Sequence, residues 1–407
     1  MTVSSSLKPK RGLIAVAALA ATLAVGSTLP ASATPTTALD AEAAAHASTP
    51  QKASGARENA ALRKGLNRLV TDDKYPAALA ATVDRDGRTR NYAAGVADLK
   101  TGKKVPVDGQ VRAGSNTKTF TAAVVLQLVG EGKVDLDAPI EKYLPNLVRG
   151  EGIDGNKIKV RQLLNHTSGL PNYTEFMMKD LFESPHTYYQ PRTLLDIALE
   201  HKAQFAPGAG WAYSNTNYVL AGLLIEKVTG RPLDEQITRR VIEPAGLKKT
   251  YFPAVGEERI RGVHPKAYHA PKPGAPLVDV TEMDPSWGWA AGQIVSTPSD
   301  LNRFFKALFD GKLLKPAQVA QLRTTVPVPD SWSMKPGSRY GLGVTSVPLS
   351  CGGRMWGHGG DIPGHATRTG VTDDGRAAAI AATANAAPTV QGPENTQALL
   401  DTAFCKK

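Results

Sequence analysis

The segment RAGSNTKTFTAAVVLQ contains a serine and a lysine at a spacing suited to nucleophilic catalysis. Ser115 precedes Lys118 by three residues, and side chains three residues apart share one face of a helix. The apolar run from Phe120 to Val129 predicts a helix buried on most sides, and burial lowers the pKa of an amine toward a value useful in a base. Alternatively, Ser115 simply caps the helix and Lys118 extends from its first turn into solvent.

A second polar group lies in WAYSNTNY, where Tyr213 and Asn215 are two residues apart. A phenol beside a lysine ammonium loses its proton more readily, and it can relay protons to Ser115 and to a leaving amine. The amide of Asn215 offers both a donor and an acceptor, which suits it to holding a substrate amide. Alternatively, the polar groups of Tyr213 and Asn215 have a purely structural role and form hydrogen bonds within a loop.

Glycines surround His358 in the segment MWGHGGDIPGHA. Glycine within a strand often marks the close approach of another backbone, and an extended substrate would need such room. We expect Gly359 and Gly360 to contact substrate, with a strand N–H near Gly360 joining the N–H of Ser115 in an oxyanion hole. His358 would place a positive or donor group near Tyr213. The alternative is a glycine-rich hairpin with one exposed histidine.

In chain order, these three groups resemble the motifs of secreted serine hydrolases related to D-alanyl-D-alanine carboxypeptidases and class C β-lactamases. The likeness covers roughly residues 57–405 and includes LLNHTSGLPNY and WGWAAGQIVSTPSDLNRF. It implies that Ser115 is the nucleophile, that Lys118 and Tyr213 move its proton, and that an acyl-enzyme forms and is hydrolysed. It implies no cofactor and no metal, and His166 in NHTSG is expected to be structural.

The third motif departs from the family pattern, because His-Gly-Gly stands in place of Lys-Thr-Gly or His-Thr-Gly. The missing hydroxyl removes a donor to a substrate carboxylate. The close carboxypeptidase relatives also place an arginine on the preceding strand for that carboxylate, whereas GVTSVPLSCGG has none and Arg354 is only a candidate replacement. Asp361, directly after the motif, would repel a carboxylate and attract an amine.

These departures leave the substrate open while the chemistry stays the same. Our first expectation is a D-alanyl-D-alanine carboxypeptidase-like peptidase of cell-wall peptides. A secreted esterase, an amidase or a D-amino-acid peptidase comes second, and a β-lactamase third. The remaining alternative is a binding protein that recognises wall peptides or β-lactams without turnover. The expected partner is thus a small-molecule or peptide substrate, and we expect a monomer.

The remaining pattern of the chain indicates an α+β fold. A helix is predicted at about residues 57–71, and the two strands after it are joined at Asp86-Gly87, a strong hairpin signal. Short helices and loops rich in proline and glycine follow in the middle of the chain. The other predicted elements are strands at about 77–84, 88–96, 340–348, 353–359, 366–371 and 377–384, and a last helix at about 393–404.

Strands and a helix at each end of the chain predict layers that are closed by both termini. We expect a three-layer fold. Its mainly antiparallel sheet comes from residues 57–133 and 336–405 and is flanked by the N- and C-terminal helices. Residues 134–335 would form a mostly helical inserted domain, with the substrate cleft between the two parts. The resemblance implies the same β-lactamase/transpeptidase-like domain over 57–405.

The N-terminus has the pattern of a signal peptide over residues 1–33. Lys8, Lys10 and Arg11 precede an apolar stretch too short to span a bilayer, and small residues then offer a cleavage site. Residues 34–56 lack apolar periodicity and are predicted to be a disordered linker or pro-segment. The mature chain would be secreted and free of the membrane; an uncleaved anchor is the alternative.

The charge and the two cysteines indicate which kinds of partner the protein binds and which cellular compartment it occupies. The net charge of +11 is spread over scattered Lys and Arg residues without a nucleic-acid motif, so a nucleic-acid partner is not expected. Attraction to an anionic cell wall would fit this charge. Cys351 and Cys405, the only two cysteines, predict one disulfide in an exported protein, with two buried thiols as the alternative.

Overall fold

The computed structural model describes residues 51–332, 335–385 and 389–405. The predicted signal peptide, 1–33, and residues 34–50 of the predicted linker therefore lie outside the described residues. The first helix begins at Gln51, so residues 51–56, expected to belong to the linker, are helical instead.

Helices and strands alternate along the described chain, and within it no helix is long and apolar enough to cross a membrane. The α-helices are α1 (Gln51–Thr71), α2 (Thr117–Gly130), α3 (Val160–Leu164), α4 (Thr174–Glu183), α5 (Pro191–Leu199), α6 (Thr216–Thr229), α7 (Leu233–Ile237), α8 (Trp289–Gly292), α9 (Pro298–Phe309), α10 (Pro316–Leu322) and α11 (Gly392–Phe404). The strands are β1 (Ala77–Val83), β2 (Thr89–Asp98), β3 (Lys103–Lys104), β4 (Val111–Arg112), β5 (Arg149–Gly150), β6 (Ile153–Asp154), β7 (Tyr268–His269), β8 (Val278–Asp279), β9 (Val295–Ser296), β10 (Val326–Pro327), β11 (Arg339–Tyr340), β12 (Thr345–Pro348), β13 (Arg354–Gly357), β14 (Gly359–Ile362), β15 (His365–Thr372), β16 (Ala377–Ala382) and β17 (Ala384–Asn385).

The main sheet is antiparallel and joins the two ends of the chain. Its strands follow the order β10-β11-β12-β13-β15-β16-β1-β2-β3, and β14 pairs with β15 off this path. Ala78 of β1 lies opposite Ala382 of β16 on one side and Ala94 of β2 on the other. Because alanines dominate β1 and β16, helices can pack closely on both faces of the sheet.

Helices cover both faces of this sheet. On one face, Leu62, Leu66 and Leu69 of α1 pack with α11 against the alanines of β1 and β16, and their spacing is that of an amphipathic helix. On the other face, α9 lies over β1, β15 and β16, where Asn302 donates a hydrogen bond to the carbonyl oxygen of Ala81 (2.9 Å). The predicted three-layer α+β fold is confirmed.

Two helices pack in a different part of the structure from the one that their sequence positions predicted. α2, assigned by sequence position to the sheet part, lies in the helical part against α6 and α8. This follows from its composition, since a helix that is apolar on nearly every side must be enclosed on every side. α9, which lies within the predicted insertion, instead has one apolar face, and that face covers the sheet.

The disulfide between Cys351 and Cys405 is present, with an S–S distance of 2.04 Å. Cys351 lies in the turn between β12 and β13, and Cys405 follows α11. The bond therefore ties the C-terminal helix to the sheet, as the sequence predicted.

Candidate active site

Ser115 lies in a single 3-10 turn, Gly114–Asn116, that leads directly into α2. Gly114 adopts a φ of +53°, a left-handed conformation that glycine reaches at little cost. The side-chain amide of Asn116 donates to Ala113 O (3.0 Å) and to Thr367 Oγ1 (2.8 Å), which fixes the turn against β15. The serine is thus held at the N-terminus of a buried helix.

Lys118 is completely buried and contacts the serine hydroxyl. Its Nζ lies 3.0 Å from Ser115 Oγ, 2.6 Å from Asn215 Oδ1 and 2.9 Å from Ala291 O. Burial lowers the pKa of Lys118 well below its ordinary value. The two carbonyl oxygens can only accept, so each takes an N–H of Lys118, and the third contact of the amine is with the Ser115 hydroxyl. The alternative of a lysine extending into solvent is wrong.

The ring centroid of Tyr213 lies 4.9 Å from Lys118 Nζ. Burial raises the pKa of Tyr213 above its ordinary value, and the neighbouring Ser115 only partly opposes this. The phenol therefore keeps its proton at neutral pH. This differs from the expected easy deprotonation beside Lys118, because burial disfavours the charged phenolate.

His166 and Asn215 contact the residues next to Ser115 and hold them in place. The buried His166 ring lies 4.3 Å from the Tyr213 ring, and its Nδ1 accepts from the Ser214 N–H (3.2 Å). Burial lowers the pKa of His166, so the ring is neutral. Asn215 directs Oδ1 to Lys118 and donates through Nδ2 to Thr174 Oγ1 (3.2 Å). Its amide orients the lysine in addition to lining the cleft.

His358 is buried and neutral rather than exposed or positive. Its Nε2 lies 2.8 Å from the Tyr340 hydroxyl, and its ring is 6.3 Å from that of Tyr213. Burial lowers the pKa of His358 to about 3. Of the two roles expected for His358, a positive group or a hydrogen-bond donor, its buried position favours the neutral donor.

Gly359 and Gly360 begin strand β14, which pairs with β15 along one edge only. Its other side packs against the turn that carries Ser115. A β-carbon on Gly360 would lie 2.0 Å from Ala113 O, and one on Gly114 would lie 3.0 Å from the amide nitrogen of Asp361. The glycines therefore permit a close approach of β14 to the turn that carries Ser115.

Five of the residues described above line one cavity of about 260 Å³: Ser115, Tyr213, Asn215, His358 and Gly359. Among the described residues that line it, only Asp361 and Arg368 carry side chains that are charged at neutral pH. The lining residues are Ser115, Tyr213, Asn215, Trp332, Thr345, Val347, Met355, His358, Gly359, Asp361, Arg368, Thr369, Gln397 and Leu400.

Arg354 does not line this cavity, so the suggestion that it binds a substrate carboxylate is wrong. It donates to Ser346 Oγ (2.7 Å) and to Gly337 O (2.9 Å) on the neighbouring strand and loop. The arginine of the cavity is Arg368 on β15, which sequence analysis missed. Only the strand alternation of 365–372 could have pointed to it, since no motif contains it.

Trp332 is a second residue that sequence analysis missed. Its ring lies 5.9 Å from the Tyr213 ring and 4.6 Å from the Trp211 ring, forming an aromatic wall of the cavity. It lies in a loop between β10 and β11, where the sequence gives no periodic signal. No cluster of three or more potential metal-ligating side chains occurs among the residues that the structure describes.

Residues 63–404 match the model of the Beta-lactamase family, so the chain belongs to this family. The resemblance inferred from the three motifs is thereby confirmed. Solved structures agree across almost the whole domain. A D-stereospecific amidohydrolase from Streptomyces sp. superposes with a TM-score of 0.78 and 39% identity, over 86% of this chain and 99% of the other. A D-amino acid amidase from Ochrobactrum anthropi SV3, in complex with L-phenylalanine amide, gives a TM-score of 0.74 and 28% identity, over 85% and 97%.

Relatives with other names match shorter regions. Penicillin-binding protein 4* of Bacillus subtilis is 27% identical over 289 residues, which are 68% of this chain and 61% of that protein. A putative D-alanyl-D-alanine carboxypeptidase of Salmonella typhimurium is 32% identical over 143 residues, which are 34% of this chain and 33% of that protein. The chain thus spans less than two thirds of the length of either relative.

Proposed function

We propose that the protein is a serine hydrolase that cleaves amide bonds of D-amino-acid amides or short peptides through an acyl-enzyme on Ser115. The observation that carries this proposal is the contact between the buried amine of Lys118 and the Ser115 hydroxyl (3.0 Å). An amine without its proton, directed at a serine at a helix N-terminus, is an activated nucleophile and its base.

Lys118 acts as the base in acylation. Its lone pair takes the proton of Ser115 as Oγ attacks the substrate carbonyl carbon, while Asn215 and Ala291 keep the amine oriented. The oxyanion is held by the N–H of Ser115 and by N–H groups of β14 next to Gly360. The position of the Asp361 amide nitrogen beside Gly114 supports this arrangement.

Tyr213 acts as the acid for the leaving group. Since the phenol keeps its proton, it can donate it to the amide nitrogen as the C–N bond breaks. The proton held by Lys118 then passes to Tyr213, which restores both groups. In deacylation, water donates its proton through Tyr213 to Lys118, and Lys118 returns it to Ser115 as the ester bond breaks. The two groups titrate as a coupled pair.

Two observations favour an amidase over a carboxypeptidase, which reverses the order expected from sequence. The amidohydrolase is 39% identical over 86% of this chain, whereas the carboxypeptidase relative is 32% identical over only 34% of it. The candidate carboxylate ligand, Arg354, also lies outside the cavity. A carboxypeptidase remains the second candidate because Arg368 places one guanidinium in the cleft.

Export of the mature chain remains part of this proposal. The disulfide supports an oxidising compartment, where such bonds persist. We also propose that the protein is a monomer and that its basic surface is attracted to an anionic cell wall.

The test is a panel of D- and L-amides of alanine, leucine and phenylalanine, with N-acetyl-D-alanyl-D-alanine as the carboxypeptidase substrate. We expect release of ammonia from the D-amides, loss of this activity in Ser115→Ala and Lys118→Ala, and no dependence on a chelator. Hydrolysis of the D-alanyl-D-alanine peptide alone would contradict the amidase assignment and support the second candidate.

A further inference from the structure

Asp361 and Arg368 form an ion pair at the wall of the catalytic cavity. Arg368 Nη1 lies 3.1 Å and 3.2 Å from the two carboxylate oxygens and 2.8 Å from the carbonyl oxygen of Thr367. The hydrogens of this nitrogen are thus directed at groups of the protein. Because β14 and β15 are neighbours in the sheet, the pair is fixed by the backbone of both strands.

The two partners differ in their access to solvent. The side chain of Asp361 is 51% exposed and that of Arg368 only 14%. A carboxylate has about four lone-pair sites, so Asp361 can accept from a further donor while it is held by Arg368. A ligand entering the cavity therefore meets the carboxylate before it meets the guanidinium.

Arg368 balances the charge of this carboxylate, and no other described residue of the cavity lining carries a charged side chain. Lys118 is fully buried behind Ser115, and His358 is neutral. The cavity of about 260 Å³ next to Ser115 has room for a single amino-acid residue, and it shares Arg368 with an adjoining cavity of about 670 Å³. A group one or two bonds from the scissile carbonyl would thus share this space with the Asp361 carboxylate.

We propose that Asp361, held in place by Arg368, receives the ammonium group of a substrate whose amine is adjacent to the scissile carbonyl. The protein then acts on amino-acid amides and on peptides at a free N-terminal residue. Peptides that present a C-terminal carboxylate in this space are disfavoured. This inference rests on the proposed function and names the substrate class of the same site.

The test compares two amides that differ only in the amine: D-phenylalaninamide and 3-phenylpropanamide. The readout is the ratio of their kcat/KM values within each variant, so that partial loss of folded protein cancels. In Asp361→Asn we expect this ratio to fall about 10- to 100-fold, the usual range for a lost hydrogen bond to a charged group. Asp373→Asn, an exposed aspartate paired with Arg323, is the matched control and should keep the ratio.

The outcomes separate this inference from the proposed function. If Ser115→Ala retained amide hydrolysis, the proposed function would fail whatever the ratio. If Ser115→Ala is inactive and the ratio is unchanged in Asp361→Asn, the amine-binding role of Asp361 is wrong. Faster cleavage of N-acetyl-D-alanyl-D-alanine by Asp361→Asn, with the ratio unchanged, would instead assign Arg368 to a substrate carboxylate and overturn the inference.

Discussion

The α-carbon of Gly360 packs directly against the carbonyl oxygen of Ala113, two residues before Ser115. A β-carbon at this position would lie 2.0 Å from that oxygen and 2.6 Å from Thr367 Oγ1, distances at which atoms overlap. The contact joins the edge of β14 to the turn that carries Ser115. It therefore fixes the position of β14 relative to this turn.

Gly360→Ala should separate β14 from this turn. We expect a loss of about 1–3 kcal/mol in the free energy of unfolding, typical of overpacking, and a fall in kcat/KM. The matched control for stability is Gly359→Ala, where the nearest atom would be Arg368 Nη1 at 3.5 Å, an ordinary contact. Thermal melts of the two variants check the prediction. Equal melting temperatures would contradict the close packing described above.

The pH dependence of stability should report the buried amine of Lys118. Its pKa is lowered in the folded state, so between that pKa and about 10.5, its ordinary value, the unfolded chain binds one more proton. Wild-type stability therefore gains up to about 1.4 kcal/mol per pH unit relative to Lys118→Met in this window, and is lost as pH falls. Urea unfolding of both proteins from pH 6 to 10 measures the difference. A constant difference across this range would show that Lys118 is charged when folded.

Tyr213→Phe should slow the hydrolysis of amides much more than the hydrolysis of activated esters. An amide nitrogen needs a proton to leave, whereas p-nitrophenolate leaves without one. We expect kcat/KM for a D-amino-acid amide to fall about 10²- to 10⁴-fold, the usual contribution of a general acid, with a much smaller fall for the matching p-nitrophenyl ester. Steady-state kinetics with the two substrates decide. Equal losses would assign Tyr213 to a step common to both.

Replacing both Cys351 and Cys405 by serine should destabilise the protein. The bond closes a 54-residue segment, for which the loss of loop entropy in the unfolded chain corresponds to about 4 kcal/mol. Reductant should lower the melting temperature of the wild type to that of the double variant. It should leave the double variant itself unchanged. A wild-type melting temperature insensitive to reductant, with the bond shown to be reduced, would contradict this account.

The fold and the site were predictable to different depths. The sheet and the flanking helices followed from periodicity, and β1, β2 and α11 lie within two residues of their predicted bounds. The environment of α2 could also be inferred, since Phe120 and its neighbours are apolar on every side. The position of α9 could not, because sequence order does not reveal which layer an amphipathic helix covers.

Within the site, the motif residues were found and their charge states were not. Ser115, Lys118, Tyr213 and His358 share one site, yet the neutrality of His358 follows from burial by distant segments. Arg368 belongs to no motif and reaches the cavity only because β15 pairs with β14. Long-range pairing of this kind is what a single sequence leaves undetermined.

The most direct test of the central claim is the intact mass of the protein after rapid mixing with a D-phenylalanine p-nitrophenyl ester and an acid quench. The account predicts a transient mass increase equal to one phenylalanyl group, mapped to the peptide containing Ser115 and absent from Ser115→Ala. Turnover of the ester without any adduct on Ser115, or an adduct on another side chain, would contradict it.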